Sequence, residues 1–151
     1  MLMQKETIYF YSWKKAYFEF SNFSLHPIVI DGKTYATNEH YFQVKKFKDY
    51  SYAEEIRNAP TPAKAKSMGL SRKFEIHNNW DEYRIKVMKD AVLAKFTQHS
   101  KLKELLLSTG DAILVEDSPT DTFWGIGKNR TGKNMLGIIL MQVRELLREL
   151  N

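Results

Sequence analysis

The alternation of apolar and polar positions divides the chain into a strand-and-turn opening and a largely helical remainder. Thr7-Ile8-Tyr9-Phe10-Tyr11 is a short β-branched and aromatic run that reads as a strand. Pro27-Ile28-Val29-Ile30 and Lys33-Thr34-Tyr35 flank Asp31-Gly32, a pair that suits a two-residue hairpin because both central residues need positive φ. From Thr37 the period becomes helical. Glu39 to Tyr50 reads as a first helix and Ser51-Tyr52-Ala53-Glu54 as the capping box of a second, which Asn58-Ala59-Pro60 stops. Thr61 then caps, Pro62 opens and Gly69 closes a short third helix.

Asn79 can cap a longer helix from Trp80 to about Gln98, with Asp81 and Glu82 in its first turn and Ile85, Met88, Val92 and Phe96 as an apolar stripe. Ser100 to Ser108 forms the next helix, with Leu102, Leu105 and Leu106 inside and Thr109-Gly110 at its end. Ala112-Ile113-Leu114-Val115 reads as a short buried strand. Glu116 to Asn134 is a long loop, of a length that is commonly functional. A last helix from Met135 to about Leu150 turns Leu136, Leu140, Val143 and Leu147 inward. No repeat or linker interrupts this order. The pattern predicts one α+β domain over residues 1–151, a single compact, mainly helical fold with a small antiparallel sheet.

With 43% hydrophobic and 27% charged residues among 151, the chain has globular rather than disordered composition. Aromatic residues reach 13%, enough to spare some rings for a site. No apolar run approaches the roughly 18 residues of a membrane span, and no signal-peptide succession opens the chain, so a soluble, cytoplasmic protein without a membrane partner is expected. The absence of cysteine excludes disulfides, thiolate metal sites and a thiol nucleophile. His26, His40, His77 and His99 never pair at i, i+4, so no metal is expected, and no motif in the sequence calls for another cofactor. The net charge of +5 favours anionic partners, but the excess of +3 through Leu70 and +2 beyond it forms no concentrated nucleic-acid stripe.

Three clusters carry candidate chemistry. Phe20-Ser21-Asn22-Phe23 is a loop in which Asn22 either caps its own backbone or binds a ligand. Thr37-Asn38-Glu39-His40 opens a helix on which Glu39, Gln43 and Lys46 stand at i, i+4 and i+7, so carboxylate, amide and ammonium share one face; a solvated stripe has the same spacing. In the third cluster, Glu116, Asp117 and Asp121 precede Trp124-Gly125-Ile126-Gly127, which sets a flat ring beside a backbone open to close approach. Lys128, Arg130 and Lys133 follow and can contact phosphate, although this is neither a Walker nor a dinucleotide motif.

Together these clusters resemble the NADAR superfamily of YbiA-like domains. The matching motifs are Phe20-Ser21-Asn22-Phe23, Thr37-x-Glu39-His40-x-Phe42-Gln43-x-x-Lys46-Phe47, Trp80, Met88-x-x-Ala91-x-x-x-Lys95-Phe96 and Leu105-Leu106-x-x-Thr109-Gly110. They continue with Leu114-Val115-Glu116-x-Ser118-Pro119-x-Asp121-x-x-Trp124-Gly125-x-Gly127 and Gly132-x-Asn134-x-Leu136-Gly137, in family order over nearly the whole chain. One departure is Gly69-Leu70, where many members carry Gly-Arg.

The resemblance implies an N-glycosidase that cleaves a C1–N bond between a phosphorylated ribose and an amino-substituted heterocycle. The implied substrates are early riboflavin-pathway intermediates or ADP-ribose attached to guanine in DNA or RNA. Such cleavage places positive charge on the ribose and negative charge on the leaving nitrogen, which calls for a carboxylate and a proton source. Glu39 and Asp121 are the candidates, and Lys46 permits a second route through a Schiff base with the opened sugar. Trp80 and Trp124 are candidates for stacking, Asn22 and Gln43 for hydrogen bonding, and Phe23, Glu116 and Gly125 for the remaining substrate contacts. A non-catalytic ADP-ribose or nucleotide-binding domain is the alternative, because a fold alone does not fix activity.

Overall fold

The structure is a computed structural model that describes residues 5–150. In chain order it contains β1 (Thr7–Phe10), a 3-10 turn (Phe18–Phe20), β2 (Ile28–Ile30), β3 (Lys33–Tyr35), α1 (Asn38–Lys46), α2 (Tyr50–Arg57), α3 (Pro62–Met68), α4 (Trp80–Gln98), α5 (Ser100–Ser108), β4 (Ile113–Glu116) and α6 (Met135–Glu149). These elements gather into two compact units, one made of the chain up to Ser21 together with His99 onward, the other of Asn22–Gln98. No described helix is long and apolar enough to cross a membrane.

In the first unit β1 and β4 pair in parallel, from Thr7 opposite Ile113 to Phe10 opposite Glu116. The sequence reading anticipated only antiparallel pairing; the long stretch of chain between these strands supplies the crossover that a parallel pair requires. α6 lies against β4. It buries Leu136, Leu140, Val143 and Leu147 as the periodicity predicts, and Ile139 as well. In α5, Leu102 and Leu106 are buried while Leu105 is half-buried at the rim. Arg144 is buried too, and its Nη1 donates to Thr109 Oγ1 and to the Ala112 carbonyl, each at 2.9 Å. Those bonds fasten α6 to the turn that leads into β4.

In the second unit β2 and β3 form the expected antiparallel hairpin, with Val29 opposite Thr34. Asp31 and Gly32 take the positive φ values of 52° and 78° that the turn needs. α1 ends at Lys46, short of the Tyr50 expected from the pattern, because Phe47 turns extended and bridges Ile76. The break lets the Phe47 ring enter a cluster with Tyr52, Ile56 and Ala65. α2 therefore starts earlier than the Ser51 box predicted, and its cap is Asp49, whose carboxylate accepts the Tyr52 N–H at 2.8 Å. α3 keeps its predicted Thr61 cap, Pro62 start and Gly69 end. In α4, Met88, Val92 and Phe96 are buried with Val87 and Ala91, whereas Ile85, the first member of the predicted stripe, is 36% exposed.

The relocated cap has a measurable consequence. Asp49→Ala should destabilise the fold by about 1 kcal/mol, the usual worth of an N-cap, while Ser51→Ala should stay within about 0.5 kcal/mol of the parent. Urea unfolding of both variants checks the assignment, and the reverse order would restore Ser51 as the cap.

Candidate active site

The site in the Asn22–Gln98 unit is built on the first turns of α1. Thr37 caps the helix by accepting the His40 N–H at 3.2 Å. Asn38, Glu39, His40 and Gln43 are then all buried, although each is polar. His40 is held from both ring nitrogens, Nδ1 lying 2.7 Å from Thr37 Oγ1 and Nε2 3.0 Å from the Ala59 carbonyl. A carbonyl can only accept, so Nε2 carries the proton, and burial pushes the ring pKa below its ordinary value of 6.5. His40 is thus a neutral structural pin.

Glu39 is 7% exposed. Its backbone N–H donates to the Asn22 carbonyl at 3.1 Å, and its Oε1 accepts from Gln43 Nε2 at 3.0 Å. The predicted sharing of one helix face by Glu39 and Gln43 is therefore a direct contact, and the solvated-stripe reading does not hold for these residues. Asn22 Oδ1 and Gln43 Oε1 are buried without a hydrogen-bond partner among the described residues. Buried polar atoms are nearly always paired, so two exceptions on residues that each bond Glu39, Asn22 at its backbone and Gln43 at its carboxylate, make this a candidate ligand site.

One turn further along α1, Lys46 Nζ donates to the Gly69 carbonyl at 2.7 Å. Gly69 leaves the Gln43 side chain its space. A Cβ at this position would overlap Gln43 Oε1, so the turn after α3 presses undisturbed on the Gln43 side chain when it carries none. Burial, followed by the Arg72 and Arg84 guanidinium charges, lowers the Lys46 pKa from 10.5, while Glu39 and Asp81 act in the opposite sense.

The Asn22 loop is supported from α4 by a residue to which the sequence reading gave no role. Lys95 is 1% exposed, and its Nζ donates to Ser24 Oγ at 2.6 Å; His26 Nδ1 lies 3.1 Å from the same oxygen. The available signal was a lysine embedded between Val92 and Phe96 on the buried face. Phe23 is half-buried, with Lys66 Nζ 5.8 Å from its ring centroid. Trp80 is buried and packs on Phe42 with centroids 5.1 Å apart. Its ring is engaged by the core.

Glu116, Asp121, Trp124 and Gly125 lie in the other unit, on the loop after β4. Asp121 Oδ1 accepts the N–H groups of Phe123 and Trp124 at 2.9 and 2.7 Å, so the carboxylate braces the turn that presents Trp124. The Trp124 ring meets Phe123 edge to face at 4.7 Å. The Glu116 N–H donates to Asn134 Oδ1 at 2.9 Å, and Gly125 is buried with its carbonyl accepting from Asn134 N–H at 3.1 Å. Among the described residues no group of three or more histidines and carboxylates is placed to hold a metal ion.

Similarity to known proteins can now be set beside this geometry. A family model described as the NADAR domain matches residues 9–148. The chain belongs to the NADAR family. This NADAR chain is 48% identical over 146 residues to the N-glycosidase YbiA of Shigella boydii serotype 4 (strain Sb227), covering 97% of this chain and 91% of that protein. It is 38% identical over 149 residues to a riboflavin biosynthesis protein of Vibrio vulnificus (strain YJ016), which is longer: 97% of this chain matches 40% of that one. The NMR structure of the Escherichia coli protein YbiA matches with a TM-score of 0.91 at 46% identity, covering 99% of this chain and 89% of that one. The NADAR chain thus has the mainly helical α+β fold expected.

Gly69→Ala tests the packing of the NADAR site. The atom its methyl meets is the flexible end of Gln43, so stability should change by no more than about 1 kcal/mol while the Gln43–Glu39 bond is displaced. Activity should fall about 10-fold or more. Unfolding and turnover measured together check this, and unchanged turnover would dismiss the contact.

Proposed function

We propose that this N-glycosidase hydrolyses the C1–N bond joining a phosphorylated ribose to an amino-substituted heterocycle of the early riboflavin-pathway type. The activity is supported by near-half identity, over almost the full length, to a protein named as an N-glycosidase. The substrate type is supported by the likeness to a riboflavin biosynthesis protein. The observation that carries the site is the buried Glu39 carboxylate, held by the Gln43 amide and bonded through its backbone to Asn22.

As the C1–N bond breaks, its electron pair leaves with nitrogen and positive charge develops on C1 and the ring oxygen. Glu39 stabilises that charge, more strongly for being removed from solvent, and takes a proton from the attacking water. The water oxygen forms the new C1–O bond, and the proton passes to the leaving nitrogen. Asn22 and Gln43, with their unpartnered buried oxygens, accept from the ribose hydroxyls. Within its own unit, Asp121 is assigned to holding the backbone of the loop that carries Trp124. Lys46 is assigned to charge recognition rather than to imine formation. The whole chain, residues 1–151, is taken as the catalytic module because the family match at 9–148 runs through both units. Phosphorylated ribosides are intracellular metabolites, and the cytoplasm is the proposed setting.

A second reading, release of ADP-ribose from guanine in DNA or RNA, is favoured by one feature of the first unit. A cavity of about 470 Å³ there is lined by Tyr9, Tyr11, Lys15, Lys128 and Arg130, with Arg130 5.2 Å from the Tyr9 ring centroid. Basic groups beside exposed rings suit nucleotides. Incubation with both substrate classes and mass detection of the released sugar separates the readings. Ribose 5-phosphate is the expected product, ADP-ribose would install the second reading, and no release of either would favour a non-catalytic binder.

Two variants of that experiment probe the mechanism. Glu39→Gln should remain folded and lose about 100-fold or more in turnover, the scale of a lost acid or base; near-normal turnover would remove Glu39 from the chemistry. Borohydride added during turnover should leave no sugar adduct on Lys46 by peptide mass. A trapped adduct would move that amine to the centre of the reaction.

A further inference from the structure

A small concavity of the Asn22–Gln98 unit opens beside Lys46, one helical turn beyond Gln43. Its volume is about 290 Å³, and Lys46, Ser71 and Arg72 line it together with Leu70, Phe74 and Ile76. The Lys46 ammonium has three donors and gives one to the Gly69 carbonyl. Ser71 Oγ accepts the Lys73 N–H at 3.2 Å, which leaves the hydroxyl proton to donate outward. Arg72 is exposed, and neither it nor Lys46 has a carboxylate at salt-bridge distance among the described residues.

We infer that this concavity is the subsite for a terminal phosphate monoester on the ribose of the substrate, with Arg72, Ser71 and Lys46 as its donors. The inference rests on the reading above of a phosphorylated ribosyl substrate and names the residues that recognise its phosphate. Arg72 offers a guanidinium fork matched to phosphate oxygens, and Lys46 a compact charge behind it. The like-charge crowding that lowers the Lys46 pKa, through Arg72 and Arg84 after burial, is relieved when a dianion enters. Glu39 and Lys46 are seven residues apart on one face of α1, a rise of about 10 Å. That spacing assigns the C1 end of the substrate to Glu39 and its phosphate end to Lys46. The cavity lies at the small end of the range for ligand pockets, roughly 300–1,000 Å³, and fits a terminal phosphate rather than the further nucleotide of ADP-ribose.

The test is titration of the protein with ribose, ribose 5-phosphate, inorganic phosphate and ADP-ribose, read through the backbone amide signals of residues 69–72. Ribose 5-phosphate and inorganic phosphate should move these signals and ribose should not. Arg72→Ala should weaken ribose 5-phosphate binding about 10-fold or more, while Lys73→Ala, which removes a neighbouring charge, should not. With phosphorylated substrate, Arg72→Ala should raise KM and leave kcat near that of the parent. Equal binding in Arg72→Ala, equal binding of ribose, or ADP-ribose bound at these amides as tightly as ribose 5-phosphate would each overturn the subsite. Phosphate binding as expected in a protein that cleaves no C1–N bond would instead overturn the hydrolase reading and leave the subsite standing.

Discussion

α1 buries Asn38, Glu39, His40 and Gln43 where an ordinary amphipathic helix would bury apolar side chains, and the surrounding structure answers to that constraint. An unpaired buried polar atom costs about 1–3 kcal/mol, so most of these side chains are held by fixed partners, with Asn38 Oδ1 an exception among the described residues. Thr37 and Ala59 satisfy His40, the Asn22 carbonyl receives the Glu39 amide, and Gln43 meets the Glu39 carboxylate. Asn22 Oδ1 and Gln43 Oε1 are left without partners among the described residues. Folding alone gives no reason to hold them dry. In the proposed reading, the hydroxyls of a bound sugar restore the missing bonds.

The partners are held by elements whose own packing is apolar. Trp80 and Phe42 stack obliquely between α4 and α1, and Met88, Ala91 and Val92 are buried on the same helix. Lys95 projects from that buried face to Ser24, so the loop carrying Asn22 is tied to the longest helix of its unit rather than left to find its own conformation. Gly69 acts from the other side: by bringing no side chain it lets the end of α3 touch Gln43, and its carbonyl fixes Lys46. One residue therefore positions both the amide that holds the carboxylate and the ammonium that lies one turn away.

Much of this was legible in the residues. The Asp31-Gly32 hairpin, the Thr61 cap with Pro62, and the inward leucines of α6 rest on local rules that the structure obeys. The grouping of Glu39 with Gln43 was legible because helix spacing is itself local. What escaped depends on distant partners. Phe47 leaves α1 because Ile76 offers a bridge and Tyr52 a ring to pack on, and nothing in the local pattern announces either. Asp49 displaced Ser51 as cap once α1 had ended early. The packing of Trp80 against Phe42 likewise has no local signature. Lys95 belonged to a matched motif but carried no role, since only tertiary structure shows it reaching Ser24 from a buried face.

The loop between β4 and α6 makes a different point about positioning. Its sequence looks irregular, yet the Asn134 side chain bonds both the Glu116 N–H and the Leu114 carbonyl, taking the place of a neighbouring strand along β4. Backbone bonds then join Lys133 to Thr122, Met135 to Phe123 and Leu136 to Trp124, while Ser118 and Asp121 close the turn from within. A loop with this many internal partners loses little further freedom when a ligand arrives. Asp121 contributes to this whether or not its remaining oxygen meets substrate, because the bonds to Phe123 and Trp124 set the orientation of the indole. The loop thus shares with α1 one property: its polar side chains are fixed by bonds already made within the fold.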